Sequence, residues 1–120
     1  MYSQVEQKLY VTEAAAAYSQ AVSMAGANGV LVEATCFNYT ISGGDSLRIS
    51  VEESNDLQNW EDISGTAAER IDFTGIGYDT AQVGSIAAQY VRLKIEFWAA
   101  ETPVTSGEAV VAAGIHTGNL

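Results

Sequence analysis

Residues 46–60 read Ser46-Leu47-Arg48-Ile49-Ser50-Val51-Glu52-Glu53-Ser54-Asn55-Asp56-Leu57-Gln58-Asn59-Trp60. In the first half, Leu47, Ile49 and Val51 alternate with Arg48, Ser50 and Glu52. That period of two sets one group on each face of a half-buried strand. The second half, Ser54 to Asn59, is a run of turn-forming polar side chains closing on a large aromatic, Trp60. The stretch therefore predicts a strand that runs out, turns, and returns with the tryptophan shielding the strand beneath it.

The same alternation recurs twice further on. Val91, Leu93, Ile95 and Phe97 share one face of Tyr90–Trp98, with Tyr90, Arg92, Lys94, Glu96 and Trp98 on the other. In Glu108–His116 it gathers Ala109, Val111, Ala113 and Ile115. Residues Val30–Ile41 carry apolar groups on both faces, which predicts a central strand with a bulge near Cys36. Weaker strand signals cover Leu9–Val11, Tyr18–Met24, Glu61–Gly65, Ala67–Thr74 and Ala81–Gly84. Thr12–Ala17 reads as a loop with one helical turn, Ala25–Gly29 as a turn and Gly75–Thr80 as a loop. Ser42-Gly43-Gly44-Asp45 reads as a hairpin connection into the decisive strand.

Short strands at this spacing, with 11 glycines and one proline among them, predict an all-β chain: a single antiparallel β-sandwich, jelly-roll-like, of about eight strands. Residues 1–8 are expected as an N-terminal arm or lead-in strand, 9–116 as the sandwich and 117–120 as a free tail. The expected core is Leu47, Ile49, Val51, Trp60, Val91, Leu93, Ile95, Phe97, Val111 and Ile115.

Hydrophobic residues make up 48% of the 120 and charged ones 17%, a mixture that folds rather than stays disordered. Fifteen acids face five bases, for a formal charge of −10. Phosphate backbones and anionic lipid surfaces are bound through Lys and Arg, so neither nucleic acid nor a membrane is an expected partner. No apolar run approaches the ~20 residues of a membrane helix. Met1–Glu6 lacks the basic start and apolar segment of a secretory signal, so export by that route is not expected. Cys36 is the single cysteine, expected as a small buried hydrophobe.

The residues that could carry chemistry are few. His116 is the single histidine, without a nucleophile motif or a ligand set beside it, and reads as a surface residue. Glu52, Glu53, Asp56, Glu61 and Asp62 crowd the ends of two joined strands, but a turn splits them and they lack calcium-loop spacing. Gly43-Gly44 and Gly75-Ile76-Gly77 lack the register of phosphate-cradling loops and read as turns. No catalytic residue, metal or cofactor is expected. Tyr90 and Trp98, outward on the strongest strand, are the expected interface residues.

The run V-E-E-S-N-D-L-Q-N-W, followed about thirty residues later by Q-Y-V-R-L-K-I, resembles the small β-sandwich modules of tailed-phage virion proteins. These read as a strand, an E-S-x-D-x-x-x-W turn and a Y-V-R-L strand. Glu53, Ser54, Asp56 and Trp60 match the first part; Tyr90, Val91, Arg92 and Leu93 match the second. The Y-V-R-L ending is also similar to discoidin-like, galactose-binding jelly rolls. The first resemblance implies a non-enzymatic virion structural protein, made in the host cytoplasm. It would be a capsid decoration protein or a small tail-associated protein, bound to a major capsid or tail protein and homo-oligomeric. The second implies a carbohydrate-binding module.

Overall fold

The computed structural model describes residues 2–12, 16–40, 45–99, 102–103 and 108–119. In chain order its strands are β1 (Tyr2–Thr12), β2 (Ala17–Tyr18), β3 (Val22–Ser23), β4 (Gly29–Thr40), β5 (Asp45–Ser54), β6 (Glu61–Asp62), β7 (Ile71–Phe73), β8 (Gly77–Val83), β9 (Tyr90–Ala99), β10 (Thr102–Pro103) and β11 (Glu108–Gly118). A 3-10 turn, Ala67–Glu69, is closed by reciprocal Thr66 and Glu69 contacts.

The strands form two sheets, and every pairing is antiparallel. The first runs β1-β11-β4-β8. In the second, β9 and β5 are central; β2, β3 and β10 pair with β9, and β6 and β7 pair with β5. Serine side chains take over backbone acceptor roles where the short segments break, and between β6 and β7 the chain also leaves the sheet through the 3-10 turn. Ser19 Oγ accepts from Leu93 N at 2.8 Å between β2 and β3, and Ser64 Oγ accepts from Val51 N at 2.8 Å just after β6. With β2 and β3 taken as one edge strand, β6 and β7 as another, and the two-residue β10 left out of the count, the order in space is first-eighth-third-sixth facing second-seventh-fourth-fifth. That is the double Greek key of a jelly roll. The all-β sandwich expected from the sequence is the fold observed.

Its core follows from the alternation. Leu47, Ile49 and Val51 stand opposite Phe97, Ile95 and Leu93, all buried. Against them lie Val30, Val32, Ala34 and Cys36 of β4 and Ala109, Val111, Ala113 and Ile115 of β11. Burial also pushes the Cys36 thiol above its ordinary pKa. The bulge is where the pattern places it: Cys36 pairs with Val111 but Asn38 with Val110, leaving Phe37 as the extra residue. The phase flips there, so Tyr39 turns inward to meet Phe97 while Phe37 is exposed.

Several expectations are corrected. Of the arm and the lead-in strand expected for residues 1–8, residues 2–8 form the strand: they belong to β1, which pairs with β11 from Tyr2 onward; β11 itself runs to Gly118, two residues into the expected tail. Residues 42–44 lie outside the described residues, and the strands on either side of them, β4 and β5, belong to different sheets, so no hairpin joins them. Part of the loop expected at Gly75–Thr80 is strand, paired through Gly77 with Cys36. Trp60 is not in the core. Asp62 pairs with Glu52 and Glu61 with Glu53, so continuing the register sets Trp60 beside Ser54, on the outward side with Glu52. Strand parity, not side-chain size, decides its face.

Candidate functional site

The outward face of the second sheet is a lattice of charges and rings. Arg92 projects from β9 opposite Glu52 of β5, and its Nε donates to Glu52 Oε1 at 2.8 Å. Its guanidinium carbon lies 4.1 Å from the Tyr18 ring centroid and 4.3 Å from that of Trp60. A planar cation between two aromatic faces, with a carboxylate at its edge, satisfies all four groups at once. One layer along, Arg48 donates to Asp72 at 2.9 Å and covers the Trp98 ring at 4.4 Å. Glu96 accepts from the Trp98 indole at 2.9 Å and pairs with Lys94 at 3.4 Å. Arg70 also reaches Asp72. Four of the five basic residues of the chain thus have acidic partners on this sheet.

At one end of the sandwich the turn after β5 is held by Asp56. Its carboxylate accepts from the Gln58 and Asn59 backbone at 2.9 and 2.8 Å and from the Asn59 and Ser54 side chains. These donors favour the ionised form and hold the Asp56 carboxyl well below the usual carboxylate range. Ser54 Oγ in turn accepts from Leu57 N, which lets Leu57 sit at φ 64°. Asn55 Oδ1 accepts from Gln89 N at 3.0 Å, tying this turn to the β8–β9 connection. Between them opens a groove of about 510 Å³ lined by Glu53, Asn55, Asp56, Asn59, Trp60 and Glu61. A second of about 480 Å³ lies by Met24, Ile86 and Tyr90.

The outward face of the first sheet is built differently. Glu33 of β4 sits between Tyr78, from the β8 edge, and Tyr2, from the β1 edge. Tyr78 Oη donates to Glu33 Oε2 at 3.1 Å, and the Tyr2 hydroxyl also bonds Glu33. Burial and then the Glu33 charge raise the Tyr2 pKa; for Tyr78 the hydrogen bond to Glu33 is the main cause of the rise. Tyr2 lies over Gly114, where an added Cβ would strike its ring, and packs on His116 with ring centroids 4.4 Å apart. His116 Nε2 stands 3.5 Å from Glu33 Oε2 and, among the described residues, makes no hydrogen bond. The two tyrosines, Glu33, Ala112 and Gly114 enclose a cleft of about 170 Å³.

No protein-family model matches this chain, and no curated protein does. Solved structures match it at low identity. The SPBc2 prophage-derived protein YomS aligns over 93% of this chain and 96% of its own, at 13% identity and a TM-score of 0.47. Dimeric latent PorU from Porphyromonas gingivalis aligns over 99% of this chain and 13% of its own, at 13% identity and 0.43. A Bacillus endospore appendage, described as a disulfide-linked pilus, aligns over 98% and 91%, at 16% identity and 0.38. These likenesses assign no family.

Of the expected interface residues, Tyr90 and Trp98 do face outward on β9, but both are half-buried and Trp98 carries Arg48 on its ring. The five carboxylates Glu52, Glu53, Asp56, Glu61 and Asp62 are separated in role: Glu52 pairs with Arg92, Asp56 caps its turn and Asp62 accepts from Ser64 N. Among the described residues no three His, Cys, Asp or Glu side chains converge as metal ligands. The Glu33 cluster is not singled out by the sequence, because its members come from four strands. One signal for it exists: Gly114 interrupts an alternating strand, the mark of a close approach.

Proposed function

We propose that this chain is a non-enzymatic structural protein of a tailed-phage virion, a capsid decoration protein or a small tail-associated protein. In this reading it works as a homo-oligomer or lattice-bound subunit through the outward face of the first sheet. The observation that carries it is the collection of exposed side chains there: Tyr2 at 46%, Phe37 at 52%, Tyr78 at 62% and, in the turn leading into β8, Ile76 at 71%. Apolar and aromatic groups grouped on one open face fit contact with another protein better than isolated exposure would. The motif of Glu53, Ser54, Asp56 and Trp60 with Tyr90–Leu93 supports the virion setting. At −10 per chain, copies repel at low salt, and apolar contacts must offset that repulsion. Sedimentation across a salt series, with and without purified capsids or tails, tests the reading: association that tightens with salt, or capsid or tail binding, is expected.

A second reading, a carbohydrate-binding module, is favoured by the groove in which Trp60 meets the polar side chains of Asn55, Asp56 and Asn59. Sugar-dependent quenching of tryptophan fluorescence in a monomeric protein would put this reading ahead.

A further inference from the structure

We propose that the cleft of Tyr2, Glu33 and Tyr78 receives an arginine side chain of a different protein. The inference deepens the assembly reading and rests on it for the partner being a neighbouring subunit. On the second sheet, two aromatic rings and one carboxylate surround a guanidinium, that of Arg92, with Glu52 at its edge and Tyr18 and Trp60 on its faces. On the first sheet, two aromatic rings and one carboxylate stand together again, in Tyr2, Tyr78 and Glu33. Among the described side chains no Lys or Arg lies on this face.

The size of the cleft sets the kind of guest. At about 170 Å³ it falls below the roughly 300–1,000 Å³ of sites that enclose whole small molecules. It suits the end of one side chain. Its floor includes the small side chain of Ala112, while Gly114 lies under the Tyr2 ring. Glu33 gives the site its sign, and tyrosine rings beside it suit a weakly hydrated, delocalised cation better than an ammonium. A second copy is a poor donor, since Arg48, Arg70 and Arg92 each have a carboxylate partner already. The arginine therefore comes from another protein.

The test uses the full chain and Nα-acetyl-arginine methylamide, with the neutral isostere Nα-acetyl-citrulline methylamide as control, read by backbone amide shifts. Saturable shifts at Glu33, Ala112 and Gly114 are expected with arginine and none with citrulline. Glu33→Gln keeps the shape and should weaken binding at least about tenfold, as losing a charged hydrogen-bond partner does. Tyr78→Ala removes one wall and should weaken it about two- to fivefold, while Tyr78→Phe keeps the ring and should stay within about twofold of the parent. Melting curves confirm that each variant folds. Equal binding of citrulline, unchanged affinity in Glu33→Gln, or shifts that never saturate would overturn the proposal. Sedimentation of the same samples separates the two claims. Arginine capture by a chain that neither self-associates nor binds capsids or tails keeps the cleft and removes its assembly role. Assembly without arginine capture removes the cleft.

Discussion

The two outward faces of this sandwich use similar groups to opposite ends. On the second sheet, Arg92 lies between Tyr18 and Trp60 and is neutralised by Glu52, and the neighbouring cations are paired in the same way. On the first, Glu33 is held by two tyrosine hydroxyls, and the aromatic side chains around it stay open to solvent. A face whose charges are matched internally contributes to stability and offers little to a partner. A face with a carboxylate framed by exposed rings contributes less to stability and has more to give in contact.

That contrast can be broken at several places. The largest effect is expected from removing residues 2–12. This deletes β1, takes Leu9 off the core and Tyr2 off Gly114, and leaves the β11 edge unpaired. The chain should lose its cooperative thermal transition by circular dichroism; a melting curve close to the parent's would show that the first sheet stands without its outer strand.

Next, Arg92→Ala should cost about 2–3 kcal/mol in denaturant unfolding, since it strands the buried Glu52 carboxylate and uncovers two rings. Glu33→Gln, on the other face, should cost less than about 1 kcal/mol, as exposed pairs do. Equal costs would erase the distinction between the faces. Trp60→Ala should then cost about 1–2 kcal/mol, the loss of one ring on Arg92, and not the roughly 3–5 kcal/mol of a core aromatic.

The smallest effect is spectroscopic. Tyr2 and Tyr78 have pKa values raised by their settings around Glu33, so both should ionise above the usual tyrosine value of about 10. A raised folded value favours the protonated phenol. Its contribution is therefore complete below about pH 10 and lost as pH climbs through the folded value. Phenolate absorbance should show late-titrating tyrosines in the parent and fewer in Glu33→Gln.

The sequence makes the central strands legible because they alternate: Leu47-Ile49-Val51, Val91-Leu93-Ile95-Phe97 and Ala109-Val111-Ala113-Ile115 are all buried. The bulge at Phe37 is legible too, since β4 carries apolar groups on both faces. What escapes is set by pairing rather than by local pattern. Ser3-Gln4-Val5-Glu6-Gln7-Lys8 does not alternate cleanly, and its strand character comes from hydrogen bonding to β11, with register shifts at Gln4/Glu6 and Glu6/Leu9. Trp60 is large enough for a core, yet its register against Ser54 turns it outward. The Glu33 cluster joins positions 2, 33, 78 and 116, which only the strand order β1-β11-β4-β8 brings together. Tyr90 and Trp98 stand on the expected face, but the arginine lattice there half-covers Trp98.

In the proposed assembly, the open face of the first sheet, and not the paired face of the second, makes the contact with other subunits. Sedimentation velocity of the parent and of a Phe37→Ser, Tyr78→Ser double variant, over one salt series and at matched melting temperature, tests it most directly. Both positions are exposed, so the variant should keep the fold. The parent is expected to associate, more strongly as salt screens the −10 charge, and the variant to stay monomeric. A parent that is monomeric at every salt and concentration and binds no purified capsid or tail, or a variant that associates or binds as well as the parent, would overturn this.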